Sequence, residues 1–233
     1  MSQGTPSEEK LVPAIKACIE NGQRLIDESY DLEFRDPTAS QYFLIMIAQE
    51  ELAKAFMLYL VKDGIIPFST SVRRAIKDHT CKQLAGMIMD YIIMHWESED
   101  ELRAEIDKDF AAGDRMPSDV GSAMELLRYE KIGRWEANNW VWAEDPQYDK
   151  SALRVAKGAK DRRKQDALYV GIGRDGRVSS TPMTITKNET QAELDRARRY
   201  KYFLVSVLDG KTESRRHEKA LSALKLLFAP RQK

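Results

Sequence analysis

Apolar residues recur at spacings of three and four along most of the chain, and glycine and proline fall between these runs, a pattern that predicts an all-α fold. A first helix is expected over Leu11 to Tyr30, where Leu11, Ile15, Cys18, Ile19, Leu25 and Ile26 keep close to helical spacing. Asp36-Pro37-Thr38 breaks the chain, and Thr38 or Ser40 is placed to cap a second helix over about Ala39 to Lys62. That segment is apolar nearly all round, which predicts the central helix of a bundle. After Gly64 and Pro67, a third helix is expected to start at Ser69 to Ser71 and run to about Trp96. The acidic stretch Glu97 to Asp109 reads as a solvated helix. Ser118 is placed to cap a helix reaching Arg134, and Asp149 one that ends near Lys164. Two last helices, about Glu189 to Leu208 and Glu213 to Phe228, flank Asp209-Gly210. One segment departs from the helical period. Ala167 to Ser180 carries β-branched and aromatic residues on both sides of Asp175-Gly176, which predicts a hairpin with that pair at its turn. There is no repeat and no linker, so the expectation is one helical domain over 1–233, with a core at about 10–96 and a C-terminal helical extension with the hairpin at about 97–233.

The second helix holds an anomaly. Its apolar run is interrupted by Gln49-Glu50-Glu51 and then Lys54, and Glu50 and Lys54 are four apart on one face. In a helix apolar on every side some of these groups must be buried, and an unpaired buried charge costs several kcal/mol, so partners are required. The third helix offers them: at 100° per residue, His79, Lys82, Gln83, Gly86 and Asp90 fall on one stripe about a third of the circumference wide. Arg73 and Arg74 precede it at an end where the helix dipole favours a phosphate. Such a stripe suits either a polar network that fixes helix register or a phosphodiester site. In the second case a histidine moves a proton, arginine and lysine hold phosphate charge, and a carboxylate orients them.

Composition narrows the choice. Among 233 residues, 37 Lys and Arg balance 37 Asp and Glu, and 42% are hydrophobic, which is a soluble globular composition with no general affinity for polyanions. Cys18 and Cys81 are too few for a disulfide framework. No apolar run approaches the length of a membrane span, and the first residues lack the pattern of an export signal, so a cytoplasmic location without membrane contact is expected. His79, His95 and His217 lie on separate segments without ligand spacing, so neither a metal nor another cofactor is expected; His95 reads as a packing or capping residue and His217 as part of a solvated face. Gly171, Gly173 and Gly176 match a dinucleotide-loop spacing, yet no helix opens after them, which favours the hairpin.

The stretch Ala39 to Lys54, ASQYFLIMIAQEELAK, followed by Asp78-His79-Thr80-Cys81-Lys82, resembles the AbiV-type abortive-infection family of the HEPN superfamily, whose pattern is an EE-x-x-K helix and then a His-Lys-x-Lys-like helix. Ala167-Leu168-Tyr169-Val170 and Pro182 to Thr190 look like that family's LYV element and Pro-x-x-Ile-Thr segment. The resemblance implies an all-α HEPN-like bundle active in phage defence. Many HEPN members are metal-independent ribonucleases with an Arg-x(4–6)-His motif, often shared across a homodimer. Carried over, it makes His79 the catalytic histidine, Arg74 its arginine with Arg73 as the alternative, and Glu50, Glu51 and Lys54 the EE-x-x-K element. Thr80 stands where the family usually has lysine. Glu50 and Asp78 would orient the site, and Lys82 and Gln83 would bind or orient phosphate. The implied partners are RNA, a second copy of the chain, and a phage protein or antitoxin. Two other readings use the same residues, a non-catalytic module that binds a nucleotide, a phage protein or the translation machinery, and a plain dimer interface.

The balanced total also conceals asymmetry. Glu97 to Asp109 holds seven acidic and two basic residues, while Lys150 to Arg177 holds nine basic and three acidic. Either these are solvated faces, or the basic segment with Tyr169 guides RNA towards the His79 stripe.

Overall fold

A helix with no polar face has to be surrounded, and the way residues 39–62 are surrounded sets the architecture. The computed structural model describes residues 6–94, 117–135 and 146–209. Among them α1 (Glu8–Tyr30) and α2 (Ala39–Lys62) pack side by side, and α2 is covered further by α4 (His79–Met94) and by the long last helix, α8 (Lys187–Asp209). Short helices complete the shell: α3 (Thr70–Ala75), α5 (Ser118–Glu125) with a π-helical continuation Leu126–Gly133, α6 (Lys150–Ala156) and α7 (Ala159–Asp166). The fold is all-α with one small hairpin, as the periodicity predicts. The expectations for His95, Trp96, Glu97 to Asp109, His217 and the helix over Glu213 to Phe228 lie outside the described residues.

Phe56, Tyr59, Ile45, Leu52 and Leu60 of α2 are fully buried, at roughly 1.5–3 kcal/mol for each large side chain removed from water. Tyr200, Phe203, Leu204 and Val207 of α8 lie in the same apolar cluster as Ile15 and Ile26 of α1 and Leu84 and Ile88 of α4. The C-terminal half therefore supplies a wall of the core itself. Gly22 allows α1 to approach closely, since a Cβ there would lie 3.0 Å from the Leu52 side chain.

The single helix expected from Ser69 onward is two. Ser69 caps α3 through the Val72 amide at 3.1 Å, the chain closes a turn in which Asp78 donates its N–H to the Arg74 carbonyl at 3.0 Å, and the Asp78 carboxylate then caps α4 by accepting from the Cys81 amide at 2.8 Å. His79 consequently opens a helix instead of sitting inside one. The helix expected from Asp149 to Lys164 is likewise split, because Gly158 adopts a left-handed conformation with φ +79°. Asp149 does cap α6, accepting from the Ser151 and Ala152 amides. Thr38 occupies the cap position of α2, but its hydroxyl bonds Thr190 Oγ1 at 2.8 Å and ties α2 to α8.

Strands β1 (Gly171–Ile172) and β2 (Val178–Ser180) pair antiparallel. The turn is shifted by one residue from expectation. Gly173 accepts from the Gly176 amide, so Arg174-Asp175 form the corner and Gly176, at φ +79°, supplies the left-handed residue that follows it. Ala167 before the hairpin and Ile185 after it are buried against Tyr42 and Met46 of α2. Leu168, Tyr169 and Val170 point outward. No helix among the described residues is long and apolar enough to cross a membrane.

At Gly86, α8 packs tightly against α4. The fully buried Tyr200 donates its hydroxyl to the Gly86 carbonyl at 2.7 Å, and a Cβ on Gly86 would lie 3.0 Å from that oxygen. Gly86→Ala is expected to destabilise the fold by about 1–3 kcal/mol through overpacking, and Tyr200→Phe by about 1 kcal/mol. Thermal melts of both and of the double variant check this: the double should be less destabilised than the sum, because losing the hydroxyl frees the space the methyl needs.

Candidate functional site

Glu50 is 3% exposed, and its carboxylate is the point on which three elements converge. Position 50 on α2 faces the first turn of α4, where His79, Lys82 and Gln83 stand at i, i+3 and i+4 and so share a face. Glu50 Oε2 lies 2.5 Å from His79 Nδ1 and accepts from Lys82 Nζ at 2.9 Å. Glu50 Oε1 accepts from Lys164 Nζ of α7 at 2.6 Å and from Gln83 Nε2 at 3.4 Å. Four donors thus meet a group with about four lone-pair directions, which satisfies an ionised carboxylate fully. Lys164 Nζ also lies 2.9 Å from Asp161 Oδ1, one helical turn away, and 3.2 Å from His79 Nδ1.

The electrostatics follow from this geometry. Burial pushes the Glu50 carboxyl up, but the hydrogen bond from Lys164 and the charges of Lys82 and Lys164 outweigh it, so the group titrates below its ordinary value. An ionised carboxylate only accepts, so Nδ1 of His79 must carry the proton that points at it, and a neutral imidazole then has its lone pair on Nε2. The His79 side chain is 51% exposed. The site therefore presents a histidine anchored on its inner nitrogen by a buried carboxylate and free to exchange a proton at its outer one.

The stripe expected on α4 divides into two functions. His79, Lys82 and Gln83 converge on Glu50. Further along, Gly86 is covered by Tyr200, and Asp90 faces Arg196 of α8, with Nε 3.1 Å from Oδ2. Arg196 also binds Glu193, whose backbone and side chain accept from Gln49. Burial outweighs Arg196 and raises the Asp90 carboxyl, whereas at Glu193 burial is outweighed by the charges of Arg196 and Lys160, and that carboxyl is lowered. This inner part of the stripe is a register-fixing network between helices. A small cavity lined by Gln49, Lys82, Gln83, Gly86, Lys160 and Tyr200 adjoins Glu50, with room for about one water at about 10 Å³. A nucleotide-sized ligand needs roughly 300 Å³ or more, so this cavity is too small for one, and the open side of His79 is its exposed ring.

The remaining sequence-derived candidates are placed as follows. Lys54 pairs with Glu51, at 2.5 Å, and not with Glu50; the i,i+4 pair expected there does not form, because Glu50 turns inward to α4. Lys82, expected to meet a phosphate, is buried with its ammonium on Glu50. Asp78 acts on the site through the helix cap of α4. Arg73 and Arg74 are exposed on α3, and the turn closed by Arg74 and Asp78 sets α3 against the start of α4. Lys164 and Asp161 are the site residues that sequence reasoning missed. They sit in AKDRRKQD, a stretch polar enough to read as solvated. Glu50, His79 and Asp161 form the group among the described residues whose donor atoms could surround a metal.

Replacing Glu50 by Gln would leave buried Lys82 without its counter-charge and Lys164 with Asp161 alone, an effect of roughly 3–5 kcal/mol. Chemical denaturation is expected to show that loss, and to show most of it recovered when Lys82→Met and Lys164→Met are added. Since the folded Glu50 value lies below the unfolded value near 4.5, its contribution is complete above that pH and is lost as pH falls through the folded value. Acid titration of the wild type should display this decline, and Glu50→Gln should flatten it.

Comparison with known proteins gives one family. The HEPN_AbiV family, described as AbiV, matches residues 10–201. No curated protein matches the chain, and no solved structure does.

Proposed function

The chain belongs to the AbiV family of HEPN proteins, and from that membership together with the anchored histidine we propose an abortive-infection protein that cleaves RNA without a metal in the cytoplasm. The observation that carries the proposal is His79: Nδ1 is held by buried Glu50 while the ring is half exposed. In the proposed reaction Nε2 of His79 accepts the proton of a ribose 2′-hydroxyl as that oxygen attacks the adjacent phosphorus. The bond from phosphorus to the 5′-oxygen breaks and that oxygen takes up a proton, giving a 2′,3′-cyclic phosphate and a 5′-hydroxyl. Arg74, exposed beside the start of α4, holds the phosphate charge, with Arg73 as its neighbour. Lys82 and Lys164 act one step removed, keeping Glu50 ionised and aimed at His79. The active species is proposed as a homodimer in which two such sites face RNA, with a phage protein or antitoxin as its regulator.

A second reading rests on a specific observation: Arg74 makes no hydrogen bond or ion pair with His79 among the described residues. It treats the same surface as a non-catalytic module that binds RNA or a phage component.

Purified protein should cleave RNA in EDTA to ends that are cyclic phosphates, and His79→Ala should reduce the rate by at least about a hundredfold, the scale of a lost general base. Arg74→Ala should reduce it by about tenfold or more. Phage restriction should fall in parallel. Restriction lost in both variants, with no RNA cleavage by the wild type, supports the binding module; restriction unchanged in folded His79→Ala rejects both readings.

A further inference from the structure

The donor atoms of Glu50, His79 and Asp161 come from α2, α4 and α7 and lie within 4.8 Å of one another, a spacing suited to the ligands of a single cation. The point they surround is occupied by part of the chain. Lys164 Nζ is 2.6 Å from Glu50 Oε1 and 2.9 Å from Asp161 Oδ1, the two oxygens that accept from it, and lies 3.2 Å from His79 Nδ1, whose own proton is directed at Glu50. Contacts of this length belong to an ammonium group, since N and O ligands approach zinc at about 2.0–2.2 Å. The side chain that delivers the ammonium is buried, and so is its partner Glu50. The charges balance as well: two carboxylates, Glu50 and Asp161, meet two ammonium groups, Lys164 and Lys82. A divalent ion added to that set would bring uncompensated positive charge into a buried place. Removing Lys164 would leave a net negative cage with two carboxylates and a histidine whose Nδ1 can join them as a ligand once its proton moves to Nε2.

We propose that Lys164 is a positioning residue that serves as the resident cation of the Glu50–His79–Asp161 cage, holding the two carboxylates together, and through Glu50 the histidine, in the place a divalent ion would otherwise take. The inference deepens the proposed metal-free reaction and rests on it only for its consequence in cleavage. It also gives the C-terminal half a definite task. Residues 10–96 carry the glutamate and the histidine, but the cation between them arrives from α7, which is seated by two neighbouring contacts. Arg163 forms a double ion pair with Glu189 of α8 and bonds Thr184, and Ser180 of the hairpin bonds Asp166 at the end of α7. The hairpin and the Pro182–Thr184 turn therefore brace the helix that delivers Lys164.

The test is Co²⁺ binding by calorimetry to the wild type, Lys164→Ala, Lys164→Met, Lys164→Arg and Lys164→Ala with Asp161→Asn, each checked for helical content. Lys164→Met retains an apolar stem and secures the measurement if the alanine variant fails to fold. The expected result is about one Co²⁺ per chain for the alanine and methionine variants, at least about tenfold tighter than for the wild type. Lys164→Arg, which keeps a cation in the cage, should resemble the wild type, and adding Asp161→Asn should abolish the gain. Wild type that binds Co²⁺ as tightly as the variants, or folded Lys164→Ala and Lys164→Met that both bind none, would overturn the proposal. In the RNA assay in EDTA, Lys164→Ala should lose at least about tenfold in rate, and an undiminished rate would also overturn the positioning role. A wild type that cleaves no RNA sinks the ribonuclease reading alone, since the Co²⁺ result stands without it.

Discussion

A carboxylate that is almost wholly removed from water has to be neutralised where it stands, and Glu50 imposes that requirement on the rest of the chain. Its desolvation would be prohibitive alone. Two lysines, a glutamine and a histidine offset it, and they come from helices that begin far apart in sequence, α4 and α7. Each of those helices is placed by its own local chemistry: the Asp78 cap starts α4 at His79, and left-handed Gly158 lets the chain break after α6 and turn into α7. A helix running unbroken from α3 would not give position 79 a first-turn location, where the backbone ends and the side chain can be both anchored and exposed. The break between α3 and α4 is thus part of the site.

The same constraint separates the functions of the polar residues. Lys82 and Lys164, whose charge is consumed inside, hold Glu50 together with the amide of Gln83. Arg73 and Arg74 lie exposed on the preceding helix. His79 alone belongs to both sets, with Nδ1 on Glu50 and a half-exposed ring. Deeper along α4, Gly86 and Asp90 contact Tyr200 and Arg196 and serve packing and register. One stripe on one helix thus joins Glu50 at its first turn and α8 further along, about three turns apart.

Much of this was legible in the sequence, for physical reasons. The bounds of α2 could be read because an apolar helix of that length has no competing period, and Glu50 was conspicuous because a charge inside such a run must be paired. His79 and Lys82 followed from helical spacing alone. What could not be read was the choice between partners of equal local merit. Lys54 stands four residues from Glu50 in the favourable sense, yet it pairs with Glu51, since Glu50 is turned inward by contacts that no local rule contains. Lys164 was invisible for the opposite reason: three basic residues in succession look solvated, and only the tertiary seat of α7 shows that the third is buried while Arg163 is committed to Glu189 and Arg162 is exposed.

The net charge of zero acquires a different meaning in this light. Part of the basic excess between Lys150 and Arg177 is cancelled locally: Lys164 pairs with Glu50 and Asp161, and Arg163 with Glu189. Lys150, Arg154, Lys157, Arg162, Arg174 and Arg177 remain exposed, and Tyr169 stands beside them, 65% exposed, in the short run before the hairpin. A steering field for a polyanion depends on this exposed remainder and not on the total. The segment thus combines two roles that sequence counts merge. Its inward residues build the cage around His79, and its outward residues form a basic, aromatic surface on the same short helices and hairpin. That surface and the cage share α7, which the Lys164 contact with Glu50, the Arg163 pair with Glu189 and the Ser180 bond to Asp166 hold together.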